Sequence, residues 1–153
     1  MRRQAWHCAI QHYLITVVGL NLFWEIVQLP LYTLWRTSSI QSIAMAILHC
    51  TIGDMVIAIT ALISALIVLA ADNWPTHRQL RVALVAVAIG VIYTVYSERF
   101  NIGRSAWTYT ELMPIIPWLN VGLTPVLQWL LIPSIGFWVV EKNNRANHVN
   151  PSP

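Results

Sequence analysis

Between Met55 and Ala71 the chain carries no charged side chain, and its only polar interruptions are Thr60 and Ser64. A helix needs about 20 apolar residues to cross the hydrocarbon of a bilayer, and a run this uniform has few other uses. The full candidate span is 41–71, closed by Asp72-Asn73-Trp74-Pro75, where Asn and Pro end a helix. Further runs of spanning length lie at 9–29, 80–98 and 118–140. The sequence predicts an all-α membrane protein with four transmembrane helices in an antiparallel bundle. One domain covers 1–141, and the polar segment 142–153 is expected to be a disordered cytoplasmic tail.

Composition closes the alternatives. Only 10% of the residues are charged, 57% are apolar, and the mean hydropathy is +0.59. A soluble domain carries about a quarter charged residues. Disorder needs low hydrophobicity and high net charge, whereas the net charge here is +3. The pI near 9.2 does not signal nucleic acid, because the basic residues form no cluster interleaved with aromatics. Cys8 and Cys50 form no C-x-x-C, so a disulfide framework or thiol redox motif is not expected. Arg2 and Arg3 before the first run resemble a secretory signal. No small-x-small cleavage site follows, and Trp24-Glu25 stands where one would fall, so the first helix is read as retained.

Orientation follows from basic residues in short loops. With a cytoplasmic N-terminus, Arg2, Arg3, Arg78, Arg81, Lys142 and Arg145 lie inside, and Arg36, Arg99 and Arg104 outside. That excess places both termini in the cytoplasm, in a bacterial inner membrane. Trp6, Trp74 and Trp138 would mark one interface, and Trp24, Trp35, Trp107 and Trp118 the other.

The polar residues within the spans share one depth. Asn21, Glu25 and Gln28 fall on one face of the first helix, with Glu25 about 8 Å below Pro30 at 1.5 Å per residue. His49 and Asp54 lie in the outer half of the second, about 140° apart around the axis at 100° per residue, so only a wide cavity would admit both. Asp54 shares its face with Cys50, Ala58, Ala61 and Ala65. Thr94, Glu98 and Asn101 line the third helix, and Asn120, Thr124 and Gln128 the fourth, which Pro125 and Pro133 are expected to bend. Because the helices alternate in direction, every stripe lies in the outer half. The inner half has only His12, Thr16 and Ser64. This asymmetry predicts one polar cavity open to the non-cytoplasmic side.

Intramembrane carboxylates cost about 2.5–3.5 kcal/mol each on insertion scales and generally serve pairing or function. Asn, Gln and Thr in such helices also serve simply as interhelical partners, at about 0.6 kcal/mol each. Glu25, Asp54, Glu98 and His49 are the candidate catalytic residues, with acid–base chemistry by carboxyls in an apolar setting. For Glu25 the candidate counter-charges are His49, Arg99 and Arg104. Asn21, Trp24, Gln28, Asn101, Trp107, Tyr109, Gln128 and Trp129 are the candidate ligand-binding residues. The ring faces of Trp24, Tyr96, Trp107 and Trp129 suit positive charge on a substrate. In the connection 99–117, Trp107, Tyr109, Leu112 and Met113 either fold back as a lid hinged at Gly103 or lie in the membrane interface. No metal site is assigned, since no E-x-x-H or H-x-x-x-H spacing fixes two ligands. Bis-histidine haem is disfavoured because His12 and His49 lie in opposite halves, and no G-x-S-x-G elbow is present. No cofactor is expected.

The strings Trp24-Glu25-x-x-Gln28-x-Pro30-Leu31-Tyr32, His49-x-x-x-Gly53-Asp54, Ser97-Glu98-x-x-Asn101 and Leu123-x-Pro125-x-x-Gln128-Trp129 resemble a family of small bacterial four-helix membrane proteins without an assigned activity. More distantly, the order of features is similar to the EXPERA group of emopamil-binding-type sterol isomerases and sigma-2 receptors. In that resemblance Glu25 and Asp54 match the intramembrane carboxylates, and Gln128, Trp129 and Pro133 match a late amide–Trp–Pro pattern. Asn21 stands where the isomerases carry a His. The implied activity is an acid–base enzyme or binding protein for a lipid- or isoprenoid-like molecule. The alternatives are an accessory subunit of a larger membrane complex or homo-oligomer, and a metal-handling membrane protein.

The charge count makes a topology prediction. In a chain with Cys8 and Cys50 replaced, a cysteine at position 37 should react with an impermeant thiol reagent from the periplasmic side, and cysteines at 76 and 147 should not. The reverse pattern would invert the orientation and move the cavity to the cytoplasmic half.

Overall fold

The computed structural model describes residues 2–149. Its long elements are the helices α1 (Arg2–Gln28), α3 (Ile40–Val68), α4 (Gln79–Gly103) and α5 (Leu123–Val149). They hold 27, 29, 25 and 27 residues, or roughly 38–44 Å each at 1.5 Å per residue. All four are long and apolar enough to cross a bilayer. Each packs on two others, in the ring order α1–α3–α4–α5. One end of the bundle holds the start of α1, the end of α5 and the 69–78 connection. The other, the loop end, holds the 29–39 and 104–122 connections.

Local chemistry sets the boundaries. Pro30 falls in a 3-10 turn, Leu29–Leu31, where its missing N–H costs little, and a single helical turn, α2 (Leu34–Thr37), follows. Ser39 caps α3, its Oγ accepting from the Ser42 N–H at 3.2 Å. That helix ends three residues before Ala71. Ala70 turns left-handed at φ 44°, and the Ala71 and Ala70 N–H groups return to Leu66 and Ile67 carbonyls, closing a Schellman motif.

The fourth helix starts later than 118. Ile115–Ile116 (β1) pairs antiparallel with Val121–Gly122 (β2), with Ile115 opposite Gly122, and Asn120 turns at φ 53°. Asn tolerates that conformation better than most residues, so the segment folds as a hairpin. Asn120 is therefore exposed and off the Thr124–Gln128 stripe. Pro125 falls in the first turn of α5, where it breaks no hydrogen bond, while Pro133 lies inside the helix. The third helix runs on to Gly103, so Glu98 is not at a helix end. The fourth runs on to Val149, so 142–149 is helical rather than a disordered tail; 150–153 lie outside the described residues.

The bundle is apolar on both sides. Tyr13 and Val17 of α1, Ala58, Ala61 and Ala65 of α3, Val82 and Ala86 of α4, and Ile132, Phe137 and Val140 of α5 fill the core. Ile15, Phe23, Ile67, Leu84 and Ile92 point outward and are more than half exposed. Trp74 is not an interfacial residue. It is buried and meets Trp6 edge-on, with ring centroids 5.4 Å apart.

Close approach of α4 and α5 depends on Gly90. A Cβ there would stand 2.3 Å from Trp129 Cε3, which no real contact allows. Gly90→Ala should therefore force the Trp129 ring from its place and lower stability by about 1–3 kcal/mol. Gly19→Ala, whose Cβ meets nothing within 4 Å, should leave stability unchanged or raise it. Thermal unfolding of both variants in one detergent checks this.

Candidate functional site

The helical spacing of Asn21, Glu25 and Gln28 points all three toward the bundle axis near the loop end, where an amide from α5 meets them. Gln128 is 2% exposed, and its Nε2 lies 2.8 Å from Asn21 Oδ1, 3.1 Å from Glu25 Oε1 and 3.0 Å from Asp54 Oδ2. An amide nitrogen has two N–H groups, so three acceptors compete for two donors. Gln28 donates to Glu25 Oε1 at 2.8 Å and to Gln128 Oε1 at 3.3 Å, and accepts from Trp24 Nε1 at 3.2 Å. Asn21, Trp24, Glu25, Gln28, Asp54 and Gln128 thus form one network across three helices. Asp54 reaches it from α3, directly across the ring from α5, with the Trp129 indole beside it.

The network floors a cavity of about 430 Å³, within the range of small-molecule sites. Glu25, Asp54 and Glu98 all line it, so carboxyls from three helices face one space. Gln28, His49, Asn101, Trp107, Gln128 and Trp129 line it too. Asn21, Trp24 and Tyr109 do not. Asn21 and Trp24 support the network from behind, and Tyr109 is bonded to Glu98. His49 sits on the exposed rim, while Asp54 is buried, which reconciles their angular separation on α3.

Some expected partners lie elsewhere. Glu25 is bound by amides, not by arginine. Arg99 Nη1 is 3.4 Å from the Leu119 carbonyl, and the Arg104 guanidinium lies 5.0 Å over the Phe100 ring. Tyr96 is 62% exposed and stacks on Phe100, so Tyr93, not Tyr96, faces the cavity from α4. Asn101 donates to the Ser97 carbonyl at 2.8 Å and Ser97 Oγ at 3.2 Å, which holds it beside the cavity instead of extended into it.

The 104–122 connection folds inward. The Tyr109 hydroxyl donates to Glu98 Oε2 and accepts from the Gly122 N–H at 2.8 Å. Its ring packs so closely on Gly122 that a Cβ there would sit 3.1 Å from Cζ. Met113 is buried under it, whereas Leu112 and Trp118 stay exposed. Burial, followed by the hydrogen bond to Glu98, holds the Tyr109 phenol well above its ordinary pKa, so it remains a donor. Burial and the nearby Glu98 do the same for Tyr32, a lining residue that sequence reasoning placed only within a string.

Thr94 Oγ1, at the cavity, is buried with no hydrogen-bond partner, and the Trp107 indole N–H is directed at the Glu98 carboxyl. No Lys or Arg lines the space, and its walls are completed by Leu29, Leu34, Ala46, Ile47 and Ile57. Chemically, this is a set of carboxyls able to give and take protons, one unused hydroxyl donor, and apolar and aromatic walls. No group of three His, Cys, Asp or Glu side chains suited to holding a metal ion occurs among the described residues. The chain matches no protein-family model, no curated protein and no solved structure.

The network predicts the cost of removing its centre. Gln128→Met keeps the volume but leaves Asn21 and Asp54 without the donor they share. Stability should fall by about 1–3 kcal/mol, read as a lower midpoint of thermal unfolding in detergent. An unchanged midpoint would mean that the amide carries no structural load.

Proposed function

We propose that the chain is a multi-pass protein of the bacterial inner membrane, with both termini cytoplasmic, that binds a lipid- or isoprenoid-like molecule and acts on it by proton transfer. The reading rests on one observation above others: Glu25, Asp54 and Glu98, from three different helices, face a single cavity with no Lys or Arg in its lining. Carboxyls within apolar helices are costly and generally functional. Purely structural polar groups would be expected to saturate one another, but here Gln128 is short of donors and Thr94 is left unmatched.

The cavity's lining selects against anionic head groups, since a phosphate would meet three carboxyls and neither Lys nor Arg. Glu25 and Asp54, on one amide, are the acid–base pair. Glu98, held by Tyr109, is the third carboxyl at the opposite wall. The order of carboxylates and the Gln128, Trp129 and Pro133 pattern that resemble the EXPERA group fit such chemistry. A second reading draws on the same network. Gln128 joins α1, α3 and α5, as expected of an accessory subunit whose polar groups serve only to fasten helices.

The two readings part at Glu25. Glu25→Gln keeps the acceptor for Gln28 and Gln128 and removes only the carboxyl. It should fold normally, yet lose more than tenfold of any molecule that copurifies in excess over bulk lipid, measured by mass spectrometry of the organic extract. Glu25→Ala should also lower stability, by about 1–3 kcal/mol, because two amides lose their acceptor. Full retention of the copurifying molecule by Glu25→Gln would make Glu25 a structural residue and put the subunit reading first.

A further inference from the structure

The residues lining the cavity are not equally buried, and the inequality has a direction. Those contributed by α1, the turn that follows it and α5 (Gln28, Leu29, Pro125, Gln128, Trp129) are buried, apart from half-buried Glu25. On α3 and α4, Asp54, Thr94 and Glu98 are buried, but His49 is exposed, Tyr93 is 46% exposed, and Ala46, Ile47, Cys50, Gly53, Ser97 and Asn101 are half-exposed. Exposed Ala106 and half-exposed Tyr32, Leu34 and Trp107 line it from the loop end, so the cavity is open there and along the seam between α3 and α4.

The depth of that seam decides what it opens onto. His49 lies about 14 Å along the axis from Ile40, and Tyr93 about 15 Å from Gly103, at 1.5 Å per residue. Helices of roughly 40 Å overhang a 30 Å hydrocarbon layer by only a few ångströms at each end. On the membrane reading of the preceding section, on which this step rests, the opening faces acyl chains. Its rim agrees, because Met45, Leu48, Ile52 and Val56 on α3 and Ile92 and Tyr96 on α4 are about half exposed or more.

We infer that the cavity is filled sideways from the bilayer through the α3–α4 seam, by a single-chain, membrane-dissolved molecule. Its non-anionic head carries a hydrogen-bond acceptor for Thr94. A buried hydroxyl without a partner, Thr94 Oγ1, lines this space, and a buried donor left unmatched costs free energy until a ligand answers it. The tail need not fit inside. It remains between the apolar residues of the rim, so a cavity of about 430 Å³ serves a molecule longer than itself.

Gly53 provides the test. It lines the cavity, and a Cβ built on it meets nothing within 4 Å, so a large side chain there fills the opening without displacing packed atoms. Gly19 on α1 is equally open but exposed and distant from the cavity, and serves as the control. The full chain is reconstituted in phosphatidylcholine vesicles with a long-chain alkyl ketone bearing a diazirine next to the carbonyl. Photolabelled residues are then mapped by mass spectrometry. We expect labelling of cavity residues, Asp54 and Trp129 among them, to fall at least fivefold in Gly53→Trp and in Gly53→Leu. Gly19→Trp should label as the unmodified chain does, and Phe23 on the outer face of α1 should label equally in all. Thr94→Val should weaken cavity labelling while leaving Phe23 unchanged.

Unchanged cavity labelling in both Gly53 variants would overturn the lateral route and leave the proposed site standing. Unchanged labelling in Thr94→Val would overturn the assignment of the acceptor. No labelling of any cavity residue in the unmodified chain, with Phe23 labelled, would overturn both the route and the ligand-binding reading.

Discussion

A single carboxamide in the middle of the bundle, Gln128, governs the arrangement at the loop end. Inside an apolar bundle no water competes for it, so every polar group there must find a partner on another helix or go without. Gln128 answers Asn21 and Glu25 on α1 and Asp54 on α3 with one nitrogen. That sets the rotation of α1 and α3 about their axes, because a helix turned by one residue would carry its acceptor about 100° away. The cavity follows from this geometry. Carboxyls gathered around one amide leave the volume between them too polar to be closed by aliphatic packing.

The opposite half of the bundle obeys different physics. Small residues on α3 (Ala58, Ala61, Ala65) and Gly136 on α5 bring backbones close, and Tyr13, Val17 and Phe137 fill what remains. Without a hydrophobic driving force between helices in lipid, such contact is the main source of association. The molecule thus divides into a tightly packed half that supplies cohesion and a hydrogen-bonded half that holds open space. Gly90 sits where the two meet, its missing side chain letting Trp129 form both core and cavity wall.

Much of this was legible in the sequence, for identifiable reasons. An apolar run of bilayer length has few structural solutions, so the four helices and their antiparallel order followed directly. The 3.6-residue period placed Glu25 with Gln28 and Asn21, and Asp54 with the alanines of α3. Turn chemistry was less visible. Asn120 continues the four-residue spacing of Thr124 and Gln128, and only its left-handed backbone removes it from the helix. Tyr93 and Tyr96 are indistinguishable by composition, yet one faces the cavity and the other stacks outside on Phe100. The reach of Gln128 across the ring to Asp54 depends on which helices lie diagonally, and periodicity carries no such information. Nor does a sequence reveal an unmatched donor, because Thr94 is an orphan only once its neighbours are placed.

The two connections at the loop end are stitched together. Thr33 N–H bonds the Thr108 carbonyl at 3.0 Å, Thr110 N–H bonds Leu31 O at 2.9 Å, and the Thr33 and Thr108 hydroxyls meet at 2.6 Å. The chain between these points contains α3, the 69–78 connection and α4. It is therefore a closed circuit, covalent at one end and sewn at the other. The gap between its two long sides is a buttonhole: it can bow but cannot part at either corner. A slit of that kind discriminates by girth. On the proposed lateral route, one slender chain would slip through by bending two helices slightly apart, whereas a two-tailed phospholipid would have to tear the stitching, so the outline of the opening would itself select against bulk lipid.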